Sequence, residues 1–460
     1  MPVESADQSP PLFAESRVID DMLERGGITR TQRIIFLLVF IGILFDVFEQ
    51  NAVGTVAPML REHWGLDGLQ IGFLNTVTFL SAAAGKLLSG VIADRYGRRV
   101  AFNLNLALYI FGGALCAVAP GYAWLCAGRF VVGLGLGGEI VTGLTLLSEF
   151  FPPGKRRTAI GLTNLGAGGF GNMLAPSVGL LVFLVFPGSS GWRWLFVALV
   201  APVCVLAVLR RRIPETPYFL LTRGRFGELE RVMSLLTGRS MSAEIRPVSP
   251  VDGTGSLVCG SFSGLVPHLV LLSLLAGLAY GVQMSALTLM PVIFQVTGRT
   301  DANALLLVSL CQTGGIPGAL AASFLARRYS PADVLSVGAI SGALAVLLLS
   351  NTIAFAILPV VFGFLFYFLV IMINTTLWIM IPGSFPIGNR GKATAIALAA
   401  GNVMGAIVPL AAGALFDMGS PGAVFLLSAV LYLFLAVTAR FVPRGETEFR
   451  ALPDFAAKSS

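Results

Sequence analysis

The sequence predicts an all-α membrane protein of twelve transmembrane helices arranged as two six-helix halves. Three observations predict it. Of 460 residues, 55% are hydrophobic and only 12% charged, against about 25% charged in soluble chains, so the apolar surface exceeds what one core can absorb and lipid is the expected solvent. Apolar stretches of about 20 residues, the length that crosses a bilayer as a helix, recur twelve times. A polar segment, 211–265, divides them six and six. None of the runs alternates with period 2 over strand length, which excludes a membrane β-barrel.

The elements follow in chain order. Residues 1–33 are expected to form a cytoplasmic N-terminal segment; its first 21 residues are polar and acidic, with no basic region leading into a short apolar core, so no cleavable signal peptide is expected. The first half, 34–210, holds spans near 34–59, 70–93, 100–119, 121–149, 158–186 and 192–210. The first of these carries Asp46 and Glu49, spaced to share one helix face. Charges at bilayer depth are costly and are retained where they line a pathway or pair with one another. In the linker, 211–265, the stretch 215–236 sets Phe219, Phe226, Leu229, Met233 and Leu236 beside Arg223, Arg225, Glu228, Glu230 and Arg231, the pattern of surface helices. Residues 238–264 read as a flexible Ser/Gly/Pro connection. The second half, 266–441, holds spans near 266–294, 302–326, 333–351, 353–381, 393–415 and 421–441, followed by a tail, 442–460.

Loop charge orients the spans. Arg95, Arg98, Arg99, Lys155, Arg156, Arg157, Arg210, Arg211 and Arg212 follow the second, fourth and sixth spans, while the opposite loops hold little beyond Arg61, Arg193 and Arg299. Basic loops stay cytoplasmic. Both termini are then expected in the cytoplasm, with the chain integral to a plasma membrane of the bacterial inner-membrane type. The net charge of +7 has the same origin, and no nucleic-acid partner is expected. Five scattered cysteines and only two histidines, His63 and His268, give no ligand spacing, so no metal site is predicted. With no nucleophile elbow and no phosphate-binding loop, the chain is not expected to be an enzyme or to hold a cofactor. The expected partners are the bilayer, protons and a small-molecule substrate, and the expected state is a monomer.

Two motifs are specific. After the second span comes Gly90-Val-Ile-Ala-Asp94-Arg95-Tyr96-Gly97-Arg98-Arg99, in which Gly90 is placed for close helix approach and Gly97 for a tight turn. The fourth span runs from Gly128-Arg129 through Gly133, Gly135, Gly137, Gly138 and Glu139 to Glu149, Pro152 and Arg156. Together they resemble the signature loops of the major facilitator superfamily. Trp192-Arg193-Trp194 and Pro214-Glu215-Thr216-Pro217 fit the same pattern, and the resemblance covers 18–441. It implies a cytoplasmic latch of Gly90, Asp94, Arg95, Gly97, Arg98, Arg99, Glu149 and Arg156, with Arg390 as the second-half counterpart. Within the superfamily, Asp46-Val-Phe-Glu49-Gln-Asn-Ala-Val-Gly54-Thr-Val-Ala-Pro58 is similar to the first helix of aromatic acid:proton symporters, with Val47 in place of Gly and Glu49 in place of Asp. Metabolite:proton symporters and sugar porters share much of this pattern.

The two halves are unequal. In the second half the acids of the latch are missing: Ala326 and Gly383 stand where they should repeat, and Pro443-Arg444-Gly445-Glu446 stands where a Pro-Glu pair is expected. A weaker second latch follows. At membrane depth Asp46, Glu49, Lys86, Arg129 and Glu139 all belong to the first half, whereas the second carries Tyr280, Gln283, Gln312, Asn374, Thr375, Trp378 and Asn402. Charged residues would handle the proton and an anionic group; Gln50, Tyr280, Gln283, Gln312, Asn374, Trp378 and Asn402 are the substrate-binding candidates. Asp46, Glu49 and Arg129 are the proton-coupling candidates. The expected pairing is Asp46 with Arg129, because burial and a neighbouring guanidinium pull a carboxylate's proton affinity in opposite directions, so Asp46 would take up and release its proton as access alternates. Lys86 is expected to snorkel to the cytoplasmic interface or, failing that, to meet a carboxylate. Glu139 is read as a helix-packing acid.

The leading expectation is secondary active uptake of a small organic acid, aromatic acids being the best single guess, by proton symport and alternating access about a midplane site. Gly171-Asn172-Met-Leu-Ala175-Pro176-Ser-Val-Gly179 partly resembles a motif of proton-coupled exporters, which makes drug or metabolite efflux the second reading. Symport of a sugar or other neutral metabolite and a non-transporting membrane sensor complete the alternatives.

Overall fold

The computed structural model describes residues 11–66, 68–186, 191–238, 262–298, 301–326, 328–355, 357–385, 390–418 and 421–442. All regular structure among them is helical. A short helix, α1 (Pro11–Gly26), precedes the first half: α2 (Arg30–Trp64), α3 (Gly68–Tyr96), α4 (Arg98–Ala117), α5 (Tyr122–Phe150), a fifth span built from α6 (Pro153–Asn164), a π-helical segment (Leu165–Gly171) and α7 (Asn172–Val185), then α8 (Trp192–Arg210). Two short helices, α9 (Pro217–Thr222) and α10 (Phe226–Thr237), follow. The second half comprises α11 (Phe262–Val296), a broken span of α12 (Asp301–Gln312) and α13 (Gly315–Leu325), α14 (Pro331–Thr352), α15 (Leu358–Gly383), α16 (Arg390–Asp417) and α17 (Pro421–Ala439). Twelve spans are long and apolar enough to cross a bilayer. Leu88, Val91, Leu184 and Val205, each more than half exposed, belong to their outer, lipid-facing surfaces.

The first span is longer than its apolar core. Thr29 and Gln32 form a reciprocal capping pair, the Thr29 N–H donating to Gln32 Oε1 at 2.8 Å, which starts α2 four residues before the apolar run. Its 35 residues extend roughly 50 Å, well beyond the ~30 Å hydrocarbon layer. The boundary between the ninth and tenth spans also moves: α14 runs to Thr352, and α15 begins at Leu358 behind Pro359 in its first turn. The linker stretch 215–236 becomes α9 and α10, whose Phe219, Leu229, Met233 and Leu236 are buried.

Helix α5 is the centre of the first half. Its glycines are spaced so that one side meets α3 and the other α4. A β-carbon on Gly137 would strike the Ala82 carbonyl, and one on Gly135 would sit 2.6 Å from the Asn105 carbonyl and 2.7 Å from the Tyr109 amide. Bare glycine surfaces let the backbones approach, the usual basis of tight helix packing in lipid. The π-helical segment, Leu-Gly-Ala-Gly-Gly-Phe-Gly, plays the same part on two sides: within the first half Gly166 and Gly171 abut the Phe40 and Leu44 carbonyls of α2, while across the halves Gly169 meets Ile316 of α13.

The start of α2, the end of α17 and the arginine-rich turns after α3, α5 and α8 share one end of the bundle, here called the basic end. A cavity of about 1020 Å³ lies there between the halves, lined by Arg33, Phe36, Lys155, Leu162, Ser323 and Ile379. Toward the opposite end the halves meet, with Ser177 of α7 and Ser309 of α12 hydrogen-bonded at 3.4 Å. The molecule is therefore open at the basic end.

Candidate functional site

Among the described residues, six charged side chains are buried in the first half: Asp46, Glu49, Lys86, Arg129, Glu139 and Arg210, none more than 4% exposed. Three are acids and three are bases. Two tight pairs account for four of them. Arg129 forms an ion pair with Glu49 through its Nη1, donates from Nε to Thr78 Oγ1 at 3.0 Å and from Nη2 to the Glu49 carbonyl at 3.3 Å. Arg210 pairs with Glu139, donates to the Leu38 carbonyl at 3.2 Å, and lies 3.9 Å over the Phe102 ring, a geometry that offsets part of the cation's lost hydration.

The first pair corrects the expected partnership. Arg129 reaches Glu49, not Asp46, because α2 and α5 run in opposite directions. Arg129 opens the third turn of α5, far from the basic end, and Glu49 is one turn farther from that end than Asp46. Asp46 instead falls opposite Glu139 and Arg210, with Lys86 and Glu49 the next charges acting on it. It is 1% exposed, and neither carboxylate oxygen has a hydrogen-bond partner.

Lys86 does not snorkel. It is buried in α3 and donates across the halves to Asn402 Oδ1 at 2.7 Å and to the Leu398 carbonyl at 3.2 Å, both on α16, with Nζ 5.8 Å from the Tyr280 ring centre. α3 packs along α16, so the shortest route to hydrogen-bond acceptors leads across the interface and not along the helix to water. Tyr280 in turn donates to Gln50 Oε1 at 2.5 Å. Gln50, Tyr280 and Asn402 are thus brought to the charged cluster. Gln283, Gln312 and Asn374 are buried and Trp378 is half-buried, but none of their described hydrogen bonds reaches it. Asn374 donates to the Val370 carbonyl of its own helix at 3.0 Å, and Gln312 faces Tyr367. Thr375 bridges the halves elsewhere, accepting from Asn164 at 2.6 Å.

At the basic end the expected latch separates into two groups. Arg98 holds Asp94 at 3.3 Å and Glu149 at 3.2 Å. Arg156 does not join them: it lies 2.5 Å from Asp20 of α1 and 3.0 Å from the Tyr218 hydroxyl of α9. Tyr218 also donates to Asp20. Burial, reinforced by this bond, holds its phenol well above the usual tyrosine range despite the opposing Arg156 charge. Arg156 opens α6 and so faces α1 and α9, while Arg98 faces the end of α5. Gly97, at φ 108°, makes the turn a side chain would strain. Glu215 then caps α4, accepting the Arg98 and Arg99 amides at 3.0 and 3.2 Å. Arg99 reaches the Arg211 carbonyl at 2.7 Å, and Arg95 lies over Tyr96. Gly90 has open space where a β-carbon would stand, so it makes no close helix contact here. The Arg390 side chain, residues 386–389 and residues 443–446 lie outside the described residues, and Gly383 likewise has open space around it.

The sequence reading missed Arg210, Asp20 and Tyr218. Arg210 is the first of three consecutive arginines and read as a loop charge; it is fully buried. The signal that could have found it is Glu139, an acid at membrane depth that needs a counter-charge.

Comparison with known proteins places these residues in context. The family model for the Major Facilitator Superfamily matches residues 39–381. The niacin transporter NiaP of Acinetobacter baylyi is 33% identical over 196 residues, a match covering 43% of this chain and 44% of that relative. The 4-hydroxybenzoate transporter PcaK of Pseudomonas putida is 26% identical over 341 residues, covering 72% of this chain and 74% of the relative. Among solved structures, the proton:xylose symporter XylE in complex with 6-bromo-6-deoxy-D-glucose superposes with a TM-score of 0.76 at 17% identity, covering 93% of this chain and all of that one; at that identity the likeness speaks for the fold alone.

Proposed function

The chain belongs to the major facilitator superfamily, and we propose that it is a proton-coupled symporter that takes up a small aromatic acid. It is an integral multi-pass membrane transporter and not an enzyme. The observation that carries the coupling is Asp46. Glu49 and Glu139 are each closed into an ion pair, whereas Asp46 is buried at the centre of the cluster with both oxygens unengaged. It is the position where a proton can be gained or lost without breaking a pair. A charge there is stable only when neighbouring groups compensate it, so its protonation state and the arrangement of the halves are linked. The cavity at the basic end supports a cytoplasmic-facing state of an alternating-access cycle, with both termini in the cytoplasm.

The substrate class rests on the opening motif of α2 and on relatives named for niacin and 4-hydroxybenzoate, both aromatic rings bearing a carboxylate. The cation Lys86, beside Tyr280 and Gln50, is compatible with such a molecule. The test is uptake of radiolabelled nicotinate, 4-hydroxybenzoate, benzoate and xylose into proteoliposomes, with and without an inward proton gradient. Gradient-stimulated accumulation of an aromatic acid, lost in Asp46→Asn, is expected. Uptake indifferent to both the gradient and the substitution would refute the coupling role, and accumulation of xylose in place of the acids would refute the substrate class.

A further inference from the structure

Lys86 is the one base of the buried cluster without an ion pair among the described residues. Arg129 and Arg210 face Glu49 and Glu139, while Lys86 makes do with two neutral acceptors, Asn402 Oδ1 and the Leu398 carbonyl. Neutral acceptors compensate a buried ammonium less well than an anion does. Both acceptors belong to the other half of the molecule. The lysine therefore stands where the halves meet, next to Tyr280 and Gln50, which also join across that boundary.

Charge counting adds a constraint. The charged groups facing this region are Asp46 and Glu49 on α2, Lys86 on α3, Arg129 and Glu139 on α5, and Arg210 on α8; α4, α11 and α16 contribute the neutral Tyr109, Tyr280 and Asn402. With every group ionised the cluster is neutral. When Asp46 takes a proton, one positive charge is left over, and Lys86 is the base with no ion pair to offset it.

We propose that Lys86 is the receptor for the substrate's carboxylate, which displaces Asn402 and the Leu398 carbonyl from the ammonium, and that one proton on Asp46 and one monocarboxylate on Lys86 enter together as an electroneutral unit. This rests on the symporter reading above and specifies its anion site and its stoichiometry. An occupied Lys86 releases its grip on α16, so substrate binding itself loosens one tether between the halves. Proton and anion then bind cooperatively, each restoring the neutrality that the other disturbs. A neutral carboxamide of the same shape leaves the extra charge uncompensated and is rejected.

The full-length protein in proteoliposomes tests this with nicotinate and 4-hydroxybenzoate as probes and their carboxamides as competitors. Binding of the acids at least tenfold weaker in Lys86→Gln, and restored to within a few-fold in Lys86→Arg, is the expected result, with the carboxamides failing to compete in the wild type. Uptake driven by the proton gradient should proceed at the same rate whatever potential is clamped with potassium and valinomycin. A Lys86→Gln protein that melts like the wild type yet binds the acids within twofold of it overturns the anion site. Equal affinity for acid and carboxamide in the wild type overturns it without any variant. Uptake that carries net charge overturns the one-to-one count. A wild type that binds neither acid removes the symporter reading along with the inference, whereas the preceding outcomes remove the inference alone.

Discussion

Asp46 and Glu49 are one helical turn apart on the same helix, yet they have opposite surroundings. Glu49 receives a guanidinium that is itself fully buried and anchored on Thr78; Asp46 receives no hydrogen bond. The distinction predicts different phenotypes. Removing one member of a buried pair strands the other charge in a low-dielectric site, at a cost of about 3–5 kcal/mol. Arg129→Met is therefore expected to lower the thermal melting point of the purified protein by several degrees, and the double substitution Arg129→Met with Glu49→Leu to recover most of the loss. Asp46→Asn breaks no bond. It is expected to leave the melting point near that of the wild type while abolishing gradient-driven accumulation, which a fluorescence melt beside the uptake assay resolves.

At the scale of the element, glycine positions divide by what stands opposite them. In α5 a side chain at Gly137 runs into the Ala82 backbone of α3, which cannot yield, whereas Gly90 at the end of α3 faces open space. Gly137→Val is expected to abolish recovery of monodisperse protein in size-exclusion chromatography, and Gly90→Ala to leave it unchanged. The Arg98 group at the basic end is a different case. Arg98 is partly exposed, as are Asp94 and Glu149, and ion pairs in water-accessible positions contribute ~0–1 kcal/mol. Arg98→Ala should therefore shift the melting point little. Its expected effect is on the rate of transport, read as a lower initial uptake velocity at unchanged protein level, because the pairs fix the ends of α3, α4 and α5 relative to one another at the end where the cavity opens.

For the whole molecule, the halves are joined near the middle by Lys86–Asn402, Gln50–Tyr280 and Asn164–Thr375, and toward the end opposite the cavity by Ser177–Ser309. Alternating access requires the contacts that close one end to part as the other end closes. A disulfide between α7 and α12 should hold the molecule open at the basic end. In a background with the native cysteines replaced, Ser177→Cys with Ser309→Cys is expected to stop uptake under oxidising conditions and to regain it on reduction. Retained uptake with the crosslink formed, as judged by a gel shift after proteolysis between the halves, would mean that α7 and α12 do not separate during the cycle.

Much of this molecule is determined locally. Composition and apolar run length set the solvent and the number of spans, because a backbone in lipid must satisfy its hydrogen bonds within each helix. The capping pair at Thr29 and Gln32, the turn at Gly97 and the glycine spacing of α5 act over a few residues and are legible as motifs, and so is the presence of acids at membrane depth. Partnerships are not legible in that way. Whether Arg129 serves Asp46 or Glu49 depends on how far two antiparallel helices slide along each other. Whether Arg210 lies in water or against Glu139 depends on where α8 docks. Lys86 looked like a residue that would reach the membrane surface, and it turns inward because α16, more than 300 residues away in the chain, supplies its acceptors. The sequence by itself determined which charges enter the membrane; only the tertiary structure decided which of them neutralise each other and left Asp46 and Lys86 unpaired, because pairing is a property of distances between helices that no local stretch encodes.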